Sequence, residues 1–192
     1  MRELELLTDR LSLRMLTPDH AEGLLPIWSD PDVIRFTYMR PVRDMAGCVT
    51  NIMVMIDASG KREDCGPYVI YLGGTIIGMA GAVRISRESS EHELYYHLGR
   101  AWWGNGYATE AALAVIDEIF TMPLVHRVSA EVVAENIASI RVLEKSGMKR
   151  EGRLRGKFFK DSIYRDLYIY SILRNEWQQK KAQEGIAGAI SL

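Results

Sequence analysis

Gly104 and Gly106 stand in the stretch Trp103-Gly104-Asn105-Gly106-Tyr107-Ala108-Thr109-Glu110. The segment before it, Glu93 to Leu98, reads as a strand, and the segment leaving it, Gly106 to Phe120, reads as a helix. Glycines at such a junction leave backbone N–H groups uncovered at a helix N-terminus. Those groups, together with the positive end of the helix dipole, suit a phosphate-bearing ligand. Two glycines alone leave rivals standing. A dinucleotide site wants Gly-x-Gly-x-x-Gly, and Thr109 stands where the third glycine would be. A Walker loop wants Gly-Lys-Ser/Thr, which is absent. A plain strand–helix turn needs no ligand at all.

The elements that must position this stretch follow from periodicity. Leu11 to Leu16 alternates as a half-buried strand. Thr17-Pro18-Asp19 opens a helix expected to reach Trp28, and Asp30-Pro31-Asp32 breaks it. Val49, Ile52, Met53 and Ile56 set a helix over Asp44 to Ser59. Tyr68 to Leu72 and a strand from Thr75 flank Gly73-Gly74 as a tight hairpin. After the glycine stretch and its helix, His126 to Val133 is a strand. Asn136 is an N-cap for a helix through Ser146, and Gly147 ends it. Met148 to Leu154 and Tyr164 to Leu173 are the last strands. Residues 1–180 are expected to form one domain and residues 181–192 a weakly ordered tail. The order predicts a mixed α/β arrangement around one sheet, not the strand–helix alternation of a doubly wound fold.

Bulk properties exclude several classes. The 192 residues carry 47% apolar and 26% charged side chains and a formal net charge of -1. That balance calls for neither nucleic acid nor an anionic membrane as partner. No apolar run approaches the ~20 residues of a membrane span. The N-terminal residues lack the apolar core of a signal peptide, so a cytoplasmic location is expected. Cys48 and Cys65 are read as free thiols. His20, His92, His97 and His126 form no ligand-spaced cluster, and no metal is expected.

The glycine stretch resembles the acyl-CoA loop of the GNAT superfamily of N-acetyltransferases, which reads Arg/Gln-x-x-Gly-x-Gly/Ala. Trp103, Gly106 and Ala108 occupy its three positions here. The Trp departs from the commonest form and is similar to the RimJ/RimL type, which acetylates protein N-termini. Glu135 to Met148 resembles the second signature of that type, and Tyr164-Arg165-Asp166 before an apolar strand resembles a third. The resemblance runs from about Thr8 to Arg174.

The resemblance implies the GNAT fold, with one mostly antiparallel twisted sheet, splayed at the cofactor site and flanked by helices. It implies acetyl-CoA as cosubstrate, in a gap between the strand ending at Leu98 and the strand from His126. Backbone groups near His97 and Leu98 would pair with the pantetheine arm. The N–H groups of Gly104, Asn105, Gly106, Tyr107, Ala108 and Thr109 would hold the pyrophosphate, with Trp103 packed beneath. Asn136 would bond the pantetheine arm, and Ser139 would donate to the leaving thiolate. Arg141 and Lys145, four apart on one helix face, would meet the 3′-phosphate; the plain alternative is a solvated basic face. Glu93, with Glu91 as backup, would take the proton from the attacking amine. Asp161 and Tyr164 would border the acceptor side, which Phe36, Tyr38, Arg40 and Arg43 would shape. The acceptor is a primary amine: a protein or peptide N-terminus, or a small molecule such as an amino-sugar antibiotic, polyamine or metabolite. A CoA-binding module without turnover is the non-enzymatic alternative, and a nicotinamide or flavin enzyme a further one. Dimers are common in such families, so a homodimer is among the expected states.

Overall fold

Leu11 and Leu13 are buried while Ser12 and Arg14 are not, which is the alternation a strand with one face on a core must show. That strand belongs to an eight-stranded sheet in the computed structural model, which describes residues 5–62, 65–86, 88 and 90–190. The strands are β1 (Glu5–Leu7), β2 (Leu11–Met15), β3 (Cys65–Leu72), β4 (Thr75–Ser86), β5 (Glu91–Leu98), β6 (Arg127–Val133), β7 (Lys149–Lys160) and β8 (Ile163–Leu173). The helices are α1 (Ala21–Ser29), α2 (Pro31–Ile34), α3 (Met45–Arg62), α4 (Tyr107–Thr121), α5 (Ile137–Lys145) and α6 (Arg174–Ile190). The sheet order is β1-β2-β3-β4-β5-β6-β8-β7, and only β5 and β6 pair in parallel.

That parallel pairing is brief. It joins Glu91 to Arg127, His92 to Val128 and Glu93 to Ser129, and then stops. From Leu94 onward β5 stays with β4, and from Ala130 onward β6 stays with β8. The sheet therefore opens in its middle, with two unpaired strand edges facing each other across a gap. This is the splay expected from the resemblance.

One face of the sheet carries α4 and α5. Ala111, Ala112, Val115, Ile116, Ile119 and Phe120 form the buried stripe of α4 against Leu94, Leu98, Val128 and Ala130. The other face carries α1 to α3, with Trp28, Ile34, Cys48 and Ile52 packed on Val69 and Met79. Cys48 and Cys65 are buried and form no disulfide.

Gly73 and Gly74 take positive φ (54° and 89°) and close the β3–β4 hairpin as a tight turn requires. The last hairpin is longer than its apolar pattern suggests. Arg155, Gly156 and Lys157 are exposed on the edge strand β7, so they carry no burial signal, and Phe158 alone is buried beyond them. α6 runs on through residues 181–190, where a tail was expected, and residues 191 and 192 lie outside the described residues. Arg174 ties the start of α6 to the end of α4 by donating to the carbonyls of Phe120, Met122 and Val125 at 2.8, 2.5 and 2.6 Å.

Candidate active site

The glycine stretch sits at the open end of β5. Gly104 (φ 78°) and Gly106 (φ 83°) hold a conformation that side-chain-bearing residues rarely adopt, so the chain can turn from β5 into α4 in a few residues. Gly106 is the N-cap of α4. Its own carbonyl accepts from Glu110 N at 3.1 Å, and among the described residues no acceptor is bonded to any N–H from Gly104 to Thr109. A run of uncommitted donors at a helix N-terminus is a ready anion cradle. The loop behind it is tied down. Trp103 donates its indole N–H to Leu98 O (2.8 Å), and Asn105 donates its side-chain amide to the carbonyls of Trp102 and Trp103 (3.3 and 3.0 Å). Trp103 packs at the base of the loop yet stays half-exposed.

A residue from the far end of the chain completes this corner. Arg10, in the turn before β2, donates Nη1 to Asn105 O (3.1 Å) and Nε to the Glu110 carboxylate (2.7 Å), and lies over the Tyr107 ring at 4.6 Å. Sequence reading missed Arg10. Its only signal is a charged residue in a turn, and 95 positions separate it from Asn105.

The opposite wall of the gap is α5. Asn136 accepts from Ser139 N through Oδ1 at 3.2 Å, as an N-cap does, and its side-chain N–H₂ has no bond among the described residues. Ser139 meets Tyr96 of β5, with 2.9 Å between the two hydroxyl oxygens, and the Tyr96 hydroxyl also reaches Ser139 O at 3.2 Å. This pair bridges the splay. Burial pushes the Tyr96 phenol far above its usual range, only partly offset by the Ser139 bond, so it stays protonated and able to donate. Tyr96 was not singled out from the sequence, where it is one strand aromatic among several. Arg141 and Lys145 are exposed on α5 and make no ion pair among the described residues.

His97 and Leu98 part company. The His97 carbonyl lies against Gly78 of β4, where an added Cβ would stand 2.2 Å from it. Its ring accepts from the Trp28 indole at 2.7 Å, and burial pulls its pKa down to about 4, so it is neutral. Along an antiparallel pair successive residues point their polar groups to opposite sides. Since His97 faces β4, the backbone groups of Leu94, Tyr96 and Leu98 face the gap. The Leu98 carbonyl is already taken by Trp103.

On the α1–α3 face, Glu93 sits at the last paired position before the splay. It makes no hydrogen bond among the described residues. Burial, then the charges of Glu131 and Glu91, push its carboxyl above the usual carboxylate range. Glu91 is committed elsewhere. Its carboxylate takes Arg127 Nε at 2.9 Å, and Arg127 also holds Glu151 at 2.7 and 2.5 Å. Glu131, two residues past the partner of Glu93 on β6, shares its face and was missed because nothing in the sequence pairs the two strands in register.

The segment between α2 and α3 covers this side. Phe36 packs on Val133, Phe158 and Leu167, and Tyr38 stacks on Phe158 at 4.8 Å. Burial and the charges of Glu131 and Glu93 raise the Tyr38 phenol pKa. Lys160, at the end of β7, donates to the carbonyls of Ile34, Thr37 and Met39 at 2.7, 3.0 and 2.8 Å, which uses all three ammonium protons. Lys160 is another residue the sequence did not mark. Arg40 and Arg43 are exposed on this segment. Asp161 and Tyr164 lie at the tip of the β7–β8 hairpin, with the Tyr164 ring tilted against Phe159 at 4.5 Å and 70% exposed.

A family model for the acetyltransferase (GNAT) domain matches residues 10–149. The chain belongs to the GNAT family. N-acetyltransferase p20 of Bacillus licheniformis is 33% identical over 90% of this chain and 97% of its own length. The [ribosomal protein uS5]-alanine N-acetyltransferase of Escherichia coli is 26% identical over 91% of this chain and 93% of its own. A GNAT-family acetyltransferase from Bacillus anthracis superposes with a TM-score of 0.78 at 25% identity, covering 89% of this chain and 99% of that one. RimL, a ribosomal L7/L12 α-N-protein acetyltransferase solved with coenzyme A, shares the fold at a TM-score of 0.80 and 16% identity, covering 88% and 97%. This GNAT chain is an N-acetyltransferase, and the family's donor is acetyl-CoA.

Proposed function

We propose that this GNAT enzyme transfers acetyl from acetyl-CoA to a primary amine by direct attack, with donor and acceptor bound together on opposite faces of the splayed sheet. The observation that carries the reading is the run of uncommitted N–H groups from Gly104 to Thr109 at the mouth of the gap. They would hold the pyrophosphate, with the unpaired edge of β5 at Tyr96 and Leu98 and the side-chain amide of Asn136 along the pantetheine arm. Arg141 and Lys145 remain candidates for the 3′-phosphate. Bound acetyl-CoA supplies an activated acetyl thioester, and the chain supplies the proton handling.

An amine arrives mostly as ammonium and must lose a proton to become a nucleophile. Glu93 has no ion-pair partner among the described residues, and its carboxyl, raised above the usual carboxylate range by burial and by Glu131 and Glu91, is the stronger base for taking that proton. Ser139, held by Tyr96, is the hydroxyl this reading assigns to the leaving sulfur. The Tyr96 hydroxyl donates to the Ser139 carbonyl or to Ser139 Oγ, and in either case the serine keeps its own proton to give to the thiolate. Tyr38 and Phe36 line the acceptor side. Similarity to the uS5 alanine N-acetyltransferase puts a polypeptide N-terminus first among acceptors.

Thiol release from acetyl-CoA tests this, using hexapeptides with free Ala, Ser or Met N-termini beside spermidine and an aminoglycoside. Turnover of an alanyl or seryl peptide supports the reading. Turnover of only a small amine moves the acceptor class. Tight acetyl-CoA binding without turnover across the panel would make the chain a binding module.

A further inference from the structure

Arg10 joins two groups that a diphosphate would otherwise meet unfavourably. Glu110 lies on the first turn of α4, and a carboxylate there opposes any anion placed at the same helix N-terminus. Its charge is enclosed. Thr8 Oγ1 donates to Oε1 at 2.6 Å, Arg10 N donates to Oε1 at 2.9 Å, and Arg10 Nε and Nη2 hold Oε2 at 2.7 and 2.6 Å. Burial alone would raise the Glu110 pKa, but these bonds outweigh it, so the carboxylate is ionised. The same guanidinium bonds Asn105 O and covers the Tyr107 ring. Its Nη2 stands 3.4 Å from where a Cβ on Gly106 would be. Arg10 therefore borders the cradle from one side and neutralises the acid behind it.

We infer that Arg10 is a positioning residue for the CoA diphosphate, acting by cancelling the Glu110 charge on the first turn of α4 and by fixing the Asn105–Tyr107 backbone. This rests on the reading of residues 104–109 as the donor cradle. It makes the turn before β2 part of the donor site, and it makes the Arg10–Glu110 pair an electrostatic unit rather than a surface ion pair.

The test is calorimetric titration of coenzyme A into the wild type, Arg10→Gln, Glu110→Gln and the double variant, each checked by thermal unfolding without ligand. Removing the compensating charge should weaken CoA about tenfold in Arg10→Gln. Glu110→Gln should bind CoA at least as tightly as wild type, since the Arg10 charge is then uncancelled, and the double variant should recover most of the lost affinity, since no charge then remains to cancel. A double variant as weak as Arg10→Gln, or weaker, would show that Arg10 serves only the loop's shape and would overturn the charge-cancelling role. An Arg10→Gln variant that binds CoA like wild type overturns the inference while leaving the cradle in place. A wild type that does not bind CoA removes the cradle reading and the inference with it.

Discussion

The donor side and the acceptor side proposed for this enzyme are built from different materials. The proposed donor cradle is one short piece of backbone, Gly104 to Thr109, built around two positive-φ glycines. The acceptor side is an assembly of side chains. Glu93 and Glu131 come from two strands, Phe36 and Tyr38 from the α2–α3 segment, and Phe158 and Lys160 from the last hairpin. A backbone site accepts most substitutions of its side chains and fails when the backbone path changes. A side-chain site can be altered one residue at a time, which is where a family can vary its acceptor while keeping its donor.

Gly106→Val should break the donor side most severely. A β-branched residue at φ 83° is strained whatever the space around it, and its Cβ would stand 3.4 Å from Arg10 Nη2. The acetyl-CoA Kd should rise at least ~100-fold, with the fold kept because the loop is exposed. Unchanged binding by calorimetry would remove this loop from the donor site.

Glu93→Gln should do the converse, leaving acetyl-CoA affinity intact while lowering kcat/KM about 100-fold near neutral pH. The deficit should shrink as pH approaches the amine's own pKa, where free amine no longer needs a base. Glu131→Gln sharpens the point. A negative neighbour raises the Glu93 pKa, so its removal lowers that pKa and carries the acid limb of the pH profile to lower pH. A pH profile identical to wild type in both variants would exclude Glu93 as the base.

Ser139→Ala tests the hydroxyl pair that bridges the splay. It should lower kcat about tenfold with little change in acetyl-CoA Kd, and Tyr96→Phe should act in the same direction more weakly. A Ser139→Ala variant with wild-type kcat would make the hydroxyl pair a structural bridge only.

Lys160→Met should cost stability and loosen only the acceptor side. Three carbonyls lose their donor, at about 1–3 kcal/mol for buried groups left unpaired, less for those that water reaches. Amide exchange over residues 35–40 should speed up while the Gly104–Thr109 amides, probed with coenzyme A bound, stay protected. Equal exchange in variant and wild type would show that Phe36 and Tyr38 hold the segment alone.

What could be read from the chain follows the same division. Gly73-Gly74, the α4 stripe and the Asn136 cap are local patterns, and each stands where periodicity and cap chemistry put it. The long β7–β8 hairpin and α6 were less legible. An exposed edge strand such as Arg155 to Lys157 carries no burial alternation, and the last helix ends in glycines and small residues. Residues that act across the fold carried no signal. Arg10 looks like any turn arginine until β2 packs beside α4, Tyr96 like any strand tyrosine until α5 crosses the gap, and Lys160 like any edge lysine until the α2–α3 segment offers it carbonyls.

By itself the sequence determined the glycine turn, the helix it opens and the cap at Asn136, because backbone conformation and capping depend on a few neighbouring residues. Only the tertiary structure decided that β5 and β6 part after Glu93, that Glu91 is spent on Arg127 while Glu93 has no partner among the described residues, and that Arg10 answers Glu110. Those outcomes depend on strand register and on which faces meet, and register is a property of two segments together, set by packing that no single segment encodes.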